Sequence, residues 1–155
     1  MCIRDSPIPP HEVFLGRLTQ QYVLLPNGEH RLDAPGGNAL YALAGFLLWQ
    51  MEPPPGLVAR VGANYPQAWI DEISKHGIDT QGILIHEEAL DLREFFAYPN
   101  LQTRITENPL EHFSRIGIPF PKTLLGYQDH TRQIASLSKS TTFNIKNTTI
   151  PQPYG

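Results

Sequence analysis

The chain has 155 residues, of which 41% are hydrophobic, 10% aromatic and 17% charged, so it is globular with room for one core rather than disordered or fibrous. The formal net charge of −3 comes with no long basic run, and no apolar stretch reaches the roughly 18 residues of a membrane span, which argues against nucleic-acid and membrane partners. One cysteine excludes an internal disulfide framework, and the N-terminus lacks the apolar core of a signal peptide, so the cytoplasm is the expected compartment.

The first six residues, MCIRDS, back-translate to ATG TGT ATA AGA GAC AGN, which resembles a transposon end used in preparing sequencing libraries. Residues 1–6 are therefore expected to be an artefactual leader, and Cys2 is left out of the chemistry. The C-terminus is expected to be accidental for the same reason.

Two short β-type runs follow, Val13–Leu15 and Tyr22–Leu25, the second ended by the turn signal Pro26-Asn27-Gly28. Residues 29–34 offer a further short strand. From Asn38 the pattern becomes helical. Leu40, Leu43, Ala44, Leu47 and Leu48 form one apolar stripe at i, i+3, i+4, i+7 and i+8. Asn38 is a suitable N-cap, and the run of prolines at 53–55 ends the helix. Residues 57–61 read as a strand. Asn64 and Pro66 then open a second helix with Trp69, Ile70 and Ile73 on its buried side, Lys75 and His76 at its negative end, and Gly77 as its stop. Residues 82–86 and 92–98 are two more strand candidates. Strands alternating with amphipathic helices predict an α/β sheet with helix-covered faces. Beyond Pro99 the spacing predicts a helix near Leu110–Arg115 and a strand near Lys122–Gly126. Residues 136–155 are rich in Ser, Thr and Asn with weak periodicity.

The segment Pro35-Gly36-Gly37-Asn38 poses the functional question. Taken alone, it fits either a plain turn before a capped helix or a backbone cradle against which a ligand lies. Asp91, Arg93 and Glu94 leave the same choice open, between a ligand at a sheet end and the polar side of a strand. The six histidines, at 11, 30, 76, 86, 112 and 130, include no HExxH and no cysteine partner, so no metal site is expected. GxGxxG and GxSxG are absent, which disfavours dinucleotide-binding and serine-hydrolase readings.

The order of strands, then PGGNALYALAG (35–45), then GLVARVGANYPQAWIDEISKHGIDTQGI (56–83) resembles the N-terminal part of the ribokinase-like (PfkB) carbohydrate and nucleoside kinases. The match is best over residues 12–98, including Val61-Gly62-Ala63-Asn64 and Gly77-Ile78-Asp79-Thr80. The resemblance implies a ribokinase-like three-layer α/β/α sandwich, incomplete, with residues 7–155 as the N-terminal part of one domain. It implies ATP-dependent transfer of a γ-phosphoryl group to a hydroxyl of a sugar or nucleoside, with Mg2+, and a homodimer. It also places Gln21, Gly36, Gly37 and Asn38 on the substrate side. Three positions depart from the family pattern. Tyr41 stands where an asparagine is common, Asn64 where an aspartate is, and Gln21 where an aspartate often binds sugar hydroxyls. Gln21 can hydrogen-bond a hydroxyl but supplies no charge-assisted acceptor. The GAGD anion hole that carries the family's catalytic base is absent, so this chain contains no catalytic residue and is expected to be inactive alone. The ATP and Mg2+ residues are expected in the missing part. A non-catalytic sugar- or nucleoside-binding protein on the same scaffold is the alternative. A sheet cut in mid-fold also leaves an edge and an apolar face uncovered, which predicts marginal stability.

Overall fold

The computed structural model describes residues 10–49 and 53–128. The elements in chain order are β1 (Val13–Leu15), β2 (Thr19–Leu24), β3 (His30–Gly36), α1 (Asn38–Leu47), β4 (Gly56–Gly62), α2 (Gln67–Lys75), β5 (Asp79–His86), β6 (Arg93–Asn100), β7 (Thr103–Ile105) and α3 (Pro109–Ile116), followed by a 3₁₀ turn at Lys122–Leu124. They form a parallel sheet of order β1-β4-β5 and a mixed sheet of order β3-β2-β6-β7. In the mixed sheet, β2 and β6 are parallel, while β3 and β7 add antiparallel edges. The fold is α/β, as expected. No helix among the described residues is long and apolar enough to cross a membrane.

The parallel sheet holds the first core. Alternation along β4 sends Leu57, Ala59 and Val61 to one face, where they pack with Ala39 and Leu43 of α1 and Ile70 and Ile73 of α2. Each fully buried Leu, Val or Ile side chain of this set contributes about 1.5–3 kcal/mol. Gly77, with φ of 84°, ends α2 as predicted, and His76 Nδ1 lies 2.8 Å from the carbonyl of Glu72. On the opposite face, the register places Val13, Leu15, Val58 and Leu84 together. Val13, Leu15 and Leu84 are 56%, 79% and 59% exposed. A parallel sheet is normally covered on both faces. The described residues thus build two of the three expected layers.

The mixed sheet holds the second core. Tyr22, Leu24, Phe95 and Ala97 share one face and are covered by Phe113 of α3 and by Leu124, with Phe120 and Ile118 alongside. Pro109 at the start of α3 and Gly117 in a left-handed conformation at its end delimit that helix. The Ile118 N–H donates back to the Phe113 carbonyl, a closure that satisfies the last turn.

Several local expectations are corrected. Residues 122–126 form no strand: Lys122–Leu124 make the 3₁₀ turn, which Pro121 opens and which the burial of Leu124 folds against the second core. β7 was not anticipated; it pairs with the end of β6, and the turn leading into it is held by the Asn100 side chain, which accepts from the N–H groups of Gln102 and Thr103. Asn64 does not cap α2, because Pro66 takes that position. Its amide instead clasps the backbone of Leu90 in both directions, at 3.0 and 2.9 Å. Asn38 is likewise the first residue of α1, with Gly37 at the cap position. The leader 1–6, His130 and the stretch 136–155 lie outside the described residues.

Candidate functional site

The four residues singled out from the sequence converge where β1 turns into β2 beneath the start of α1. The connection Gly16-Arg17-Leu18 runs against the first turn of the helix. Asn38 Oδ1 accepts the N–H of Arg17 at 2.8 Å and that of Ala39 at 3.0 Å. Gly37 has φ of 106° and ψ of 156°, a region open essentially to glycine alone. A Cβ there would lie 2.2 Å from the Arg17 carbonyl oxygen, and one on Gly36 would lie 2.1 Å from Gln21 Cδ. Gly37 is therefore required by its conformation and by the approach of the Arg17 backbone, whereas a side chain at Gly36 would have to displace the Gln21 side chain. The helix start is occupied in part by the Arg17 carbonyl, which also receives the Ala39 N–H at 3.4 Å.

Gln21 anchors a polar network on the face of the mixed sheet away from the second core. β2 and β6 run in register with Gln21 opposite Glu94, so these two side chains share a face while Tyr22 and Phe95 share the other. The Tyr41 hydroxyl donates to Gln21 Oε1 at 2.5 Å. Gln21 Nε2 donates to Glu94 Oε2 at 3.0 Å, and the Thr19 hydroxyl donates to the same oxygen at 2.9 Å. Arg17 approaches the other carboxylate oxygen, Oε1, at 3.7 Å. Thr19 and Gln21 are buried, at 0% and 5% exposure. The Glu94 side chain is 25% exposed and that of Arg17 61%. The result is a half-buried carboxylate with one oxygen gripped by neutral donors and the other beside a guanidinium at the surface. Chemically, such a pair accepts from and donates to hydroxyl groups.

The sequence cluster Asp91, Arg93 and Glu94 separates by strand alternation. Arg93 forks onto both oxygens of Asp91 at 2.7 Å each and donates to the carbonyls of Thr123 and Leu125. That pair pins the 3₁₀ turn, and the hydrogen bond to Asp91 raises the Arg93 pKa further. Only Glu94 turns to the polar network. On the core side, Gln20 donates to the Tyr22 hydroxyl at 3.0 Å and to Asp33. Asp33 has φ of 55° within a β-bulge, where Leu32 and Asp33 of β3 oppose Tyr22 alone. Tyr22 is fully buried, and burial pushes its pKa up.

The histidines separate similarly. His11, His30, His76 and His86 are exposed, and His112 is buried in the second core. Among the described residues no group of three or more His, Cys, Asp or Glu is placed to hold a metal ion. A groove of about 250 Å³ between α1 and α2 is lined by Leu40, Leu43, Leu47, Trp69 and Ile73. It has almost no polar surface with which to orient a polyol. Sequence reasoning missed Thr19 and Arg17 as contributors, and it noted Tyr41 only as a departure. The pairing of β2 with β6, some seventy residues apart, is what assembles them.

No protein-family model matches the chain, and no curated protein does. Among solved structures it is similar to a PfkB protein from Polaromonas sp. JS666, at 13% identity and a TM-score of 0.45 over 63% of this chain and 34% of that one. It is also similar to a sugar kinase from Pyrococcus horikoshii, at 19% identity and a TM-score of 0.42 over 62% and 35%. The ATP complex of that kinase gives 19% identity and a TM-score of 0.43 over 63% and 34%. This chain thus spans about a third of the length of the solved structures it resembles.

Proposed function

We propose that residues 7–155 are the N-terminal portion of an ATP-dependent carbohydrate kinase acting on a hydroxyl of a sugar or nucleoside. One observation carries this reading. Gln21 of β2 meets the Gly36-Gly37-Asn38 segment at one corner, and a polar network of hydroxyl, amide, carboxylate and guanidinium groups lies beside them. Such a set of donors and acceptors suits a ligand made of hydroxyls.

In this reading the chain's own residues bind and orient. Gly36 and Gly37 keep side chains out of the corner, and Asn38 fixes the backbone of Arg17. Gln21 holds Glu94 and Tyr41 in place. ATP would supply the phosphoryl group and Mg2+ would offset its charge, both held by residues elsewhere in a longer protein. A second reading has one observation in its favour: the Gln21 side chain is already engaged by Tyr41 and Glu94, as in a site built to hold rather than to turn over. The test is to express the complete reading frame from the source DNA and measure ADP release with pentoses, hexoses and nucleosides. ADP release with a neutral sugar or nucleoside supports the kinase. Saturable binding without ADP release favours the binding protein, and neither binding nor turnover overturns both.

A further inference from the structure

Resting on the sugar- or nucleoside-site reading above, we propose that Glu94 and Arg17 together read two adjacent hydroxyls of a neutral ligand, so that the site selects vicinal diols and rejects sugar acids and sugar phosphates. Gln21 is not free for this task. It is buried, its carbonyl oxygen receives the Tyr41 hydroxyl, and its amide nitrogen donates to Glu94. The acceptor that Gln21 lacks, a carboxylate, is supplied from the neighbouring strand at the residue directly opposite it.

The geometry of Glu94 separates a ligand contact from an ordinary surface ion pair. Thr19 and Gln21 both donate to Oε2, which fixes the carboxylate and leaves Oε1 to the side of Arg17. Arg17 stands 3.7 Å from Oε1, beyond hydrogen-bond distance, so the guanidinium and this oxygen each keep capacity for a further partner. An exposed ion pair at that separation contributes little to stability by itself. A diol bridging the pair would donate one hydroxyl proton to Oε1 and accept from Arg17 at the neighbouring oxygen, both bonds charge-assisted. The two charges offset one another. An anionic group placed at Oε1 would meet a like charge in a half-buried setting, which disfavours it.

The experiment uses the product of the complete reading frame, with D-ribose, D-fructose and adenosine as neutral diols, 2′-deoxyadenosine as a diol-deficient control, and D-gluconate and D-ribose 5-phosphate as anions. Wild-type protein is expected to bind at least one neutral diol and to disfavour both anions. Glu94→Gln preserves size and an acceptor for Thr19. It is expected to weaken the preferred diol by about tenfold to a hundredfold and to narrow the discrimination against the anions, with an unchanged melting temperature. Arg17→Gln, at an exposed side chain, is expected to weaken the diol and leave the anions disfavoured. If a sugar or nucleoside binds but both variants keep its affinity and the anion discrimination, this inference fails while the functional reading stands. If no ligand binds the wild type, the functional reading fails and takes the inference with it.

Discussion

The two sheets each turn one face away from their core, and the faces differ in kind. The parallel sheet carries Leu57, Ala59 and Val61 beneath α1 and α2 and leaves Val13, Leu15 and Leu84 open on the other side. The mixed sheet carries Tyr22, Leu24 and Phe95 beneath α3, and its other side holds Thr19, Gln21 and Glu94. An open apolar face is a surface awaiting cover, because water disfavours it at about 25 cal/mol per Å². A face of mutually satisfied donors and acceptors, with Thr19 and Gln21 buried and the Glu94 side chain 25% exposed, has no such deficit. The difference separates what the fold lacks from what the site presents.

The largest effect that would test this contrast is Phe113→Ala. Removing the ring that packs against Phe95 and Phe120 is expected to cost about 3–5 kcal/mol in urea unfolding, with residues 109–128 becoming the first site of proteolysis. Retained stability would mean that α3 is not the cover of the mixed sheet. Gly37→Ala comes next. Its positive φ and the approach of the Arg17 carbonyl predict a loss of about 2–4 kcal/mol whether or not a ligand is present. A Gly37 variant that loses sugar binding therefore reports the corner's integrity before it reports a contact.

His112 gives a smaller, pH-dependent effect. Arg115 approaches its Nδ1 at 2.7 Å, so that nitrogen accepts and the folded ring is neutral. Burial, then the Arg115 charge, lowers the His112 pKa below the usual 6.5. The folded state therefore binds its proton less readily than the unfolded chain. The stabilisation is complete above about pH 6.5 and declines as pH falls from there toward the folded value. The melting temperature should drop on acidification from pH 7.5 to 5.5, and His112→Gln should flatten that slope. An unchanged slope would remove His112 from the account.

The smallest effect belongs to the apolar face. Leu15→Lys on the open side is expected to change stability by less than about 0.5 kcal/mol and to raise the solubility of the 155-residue chain. A destabilisation of several-fold that size would show that Leu15 is covered in solution. The chain by itself is expected to be marginal, and a cooperative melt at high temperature would count against the uncovered face.

Elements with strong local signals were legible. The apolar stripe of α1, the alternation of β4 and the glycine stop of α2 each follow from a periodicity or a backbone requirement within a few residues. Asn38 and Asn64 were legible as polar residues at helix starts but not in what they hold. Asn38 fastens Arg17, and Asn64 fastens Leu90, because partners 21 and 26 residues away offered backbone groups in better positions. The segment 122–126 has strand composition, and burial of Leu124 against the second core decided otherwise.

From the sequence alone came the α/β class, the two glycines before α1 and the lack of a metal motif, since periodicity, turn chemistry and ligand spacing are local properties. Only the tertiary structure decided that Gly36 gives way to Gln21 and Gly37 to Arg17. It also decided that Glu94 and Gln21 stand opposite one another. Strand pairing between distant segments sets which side chains share a face, and no local pattern encodes that register.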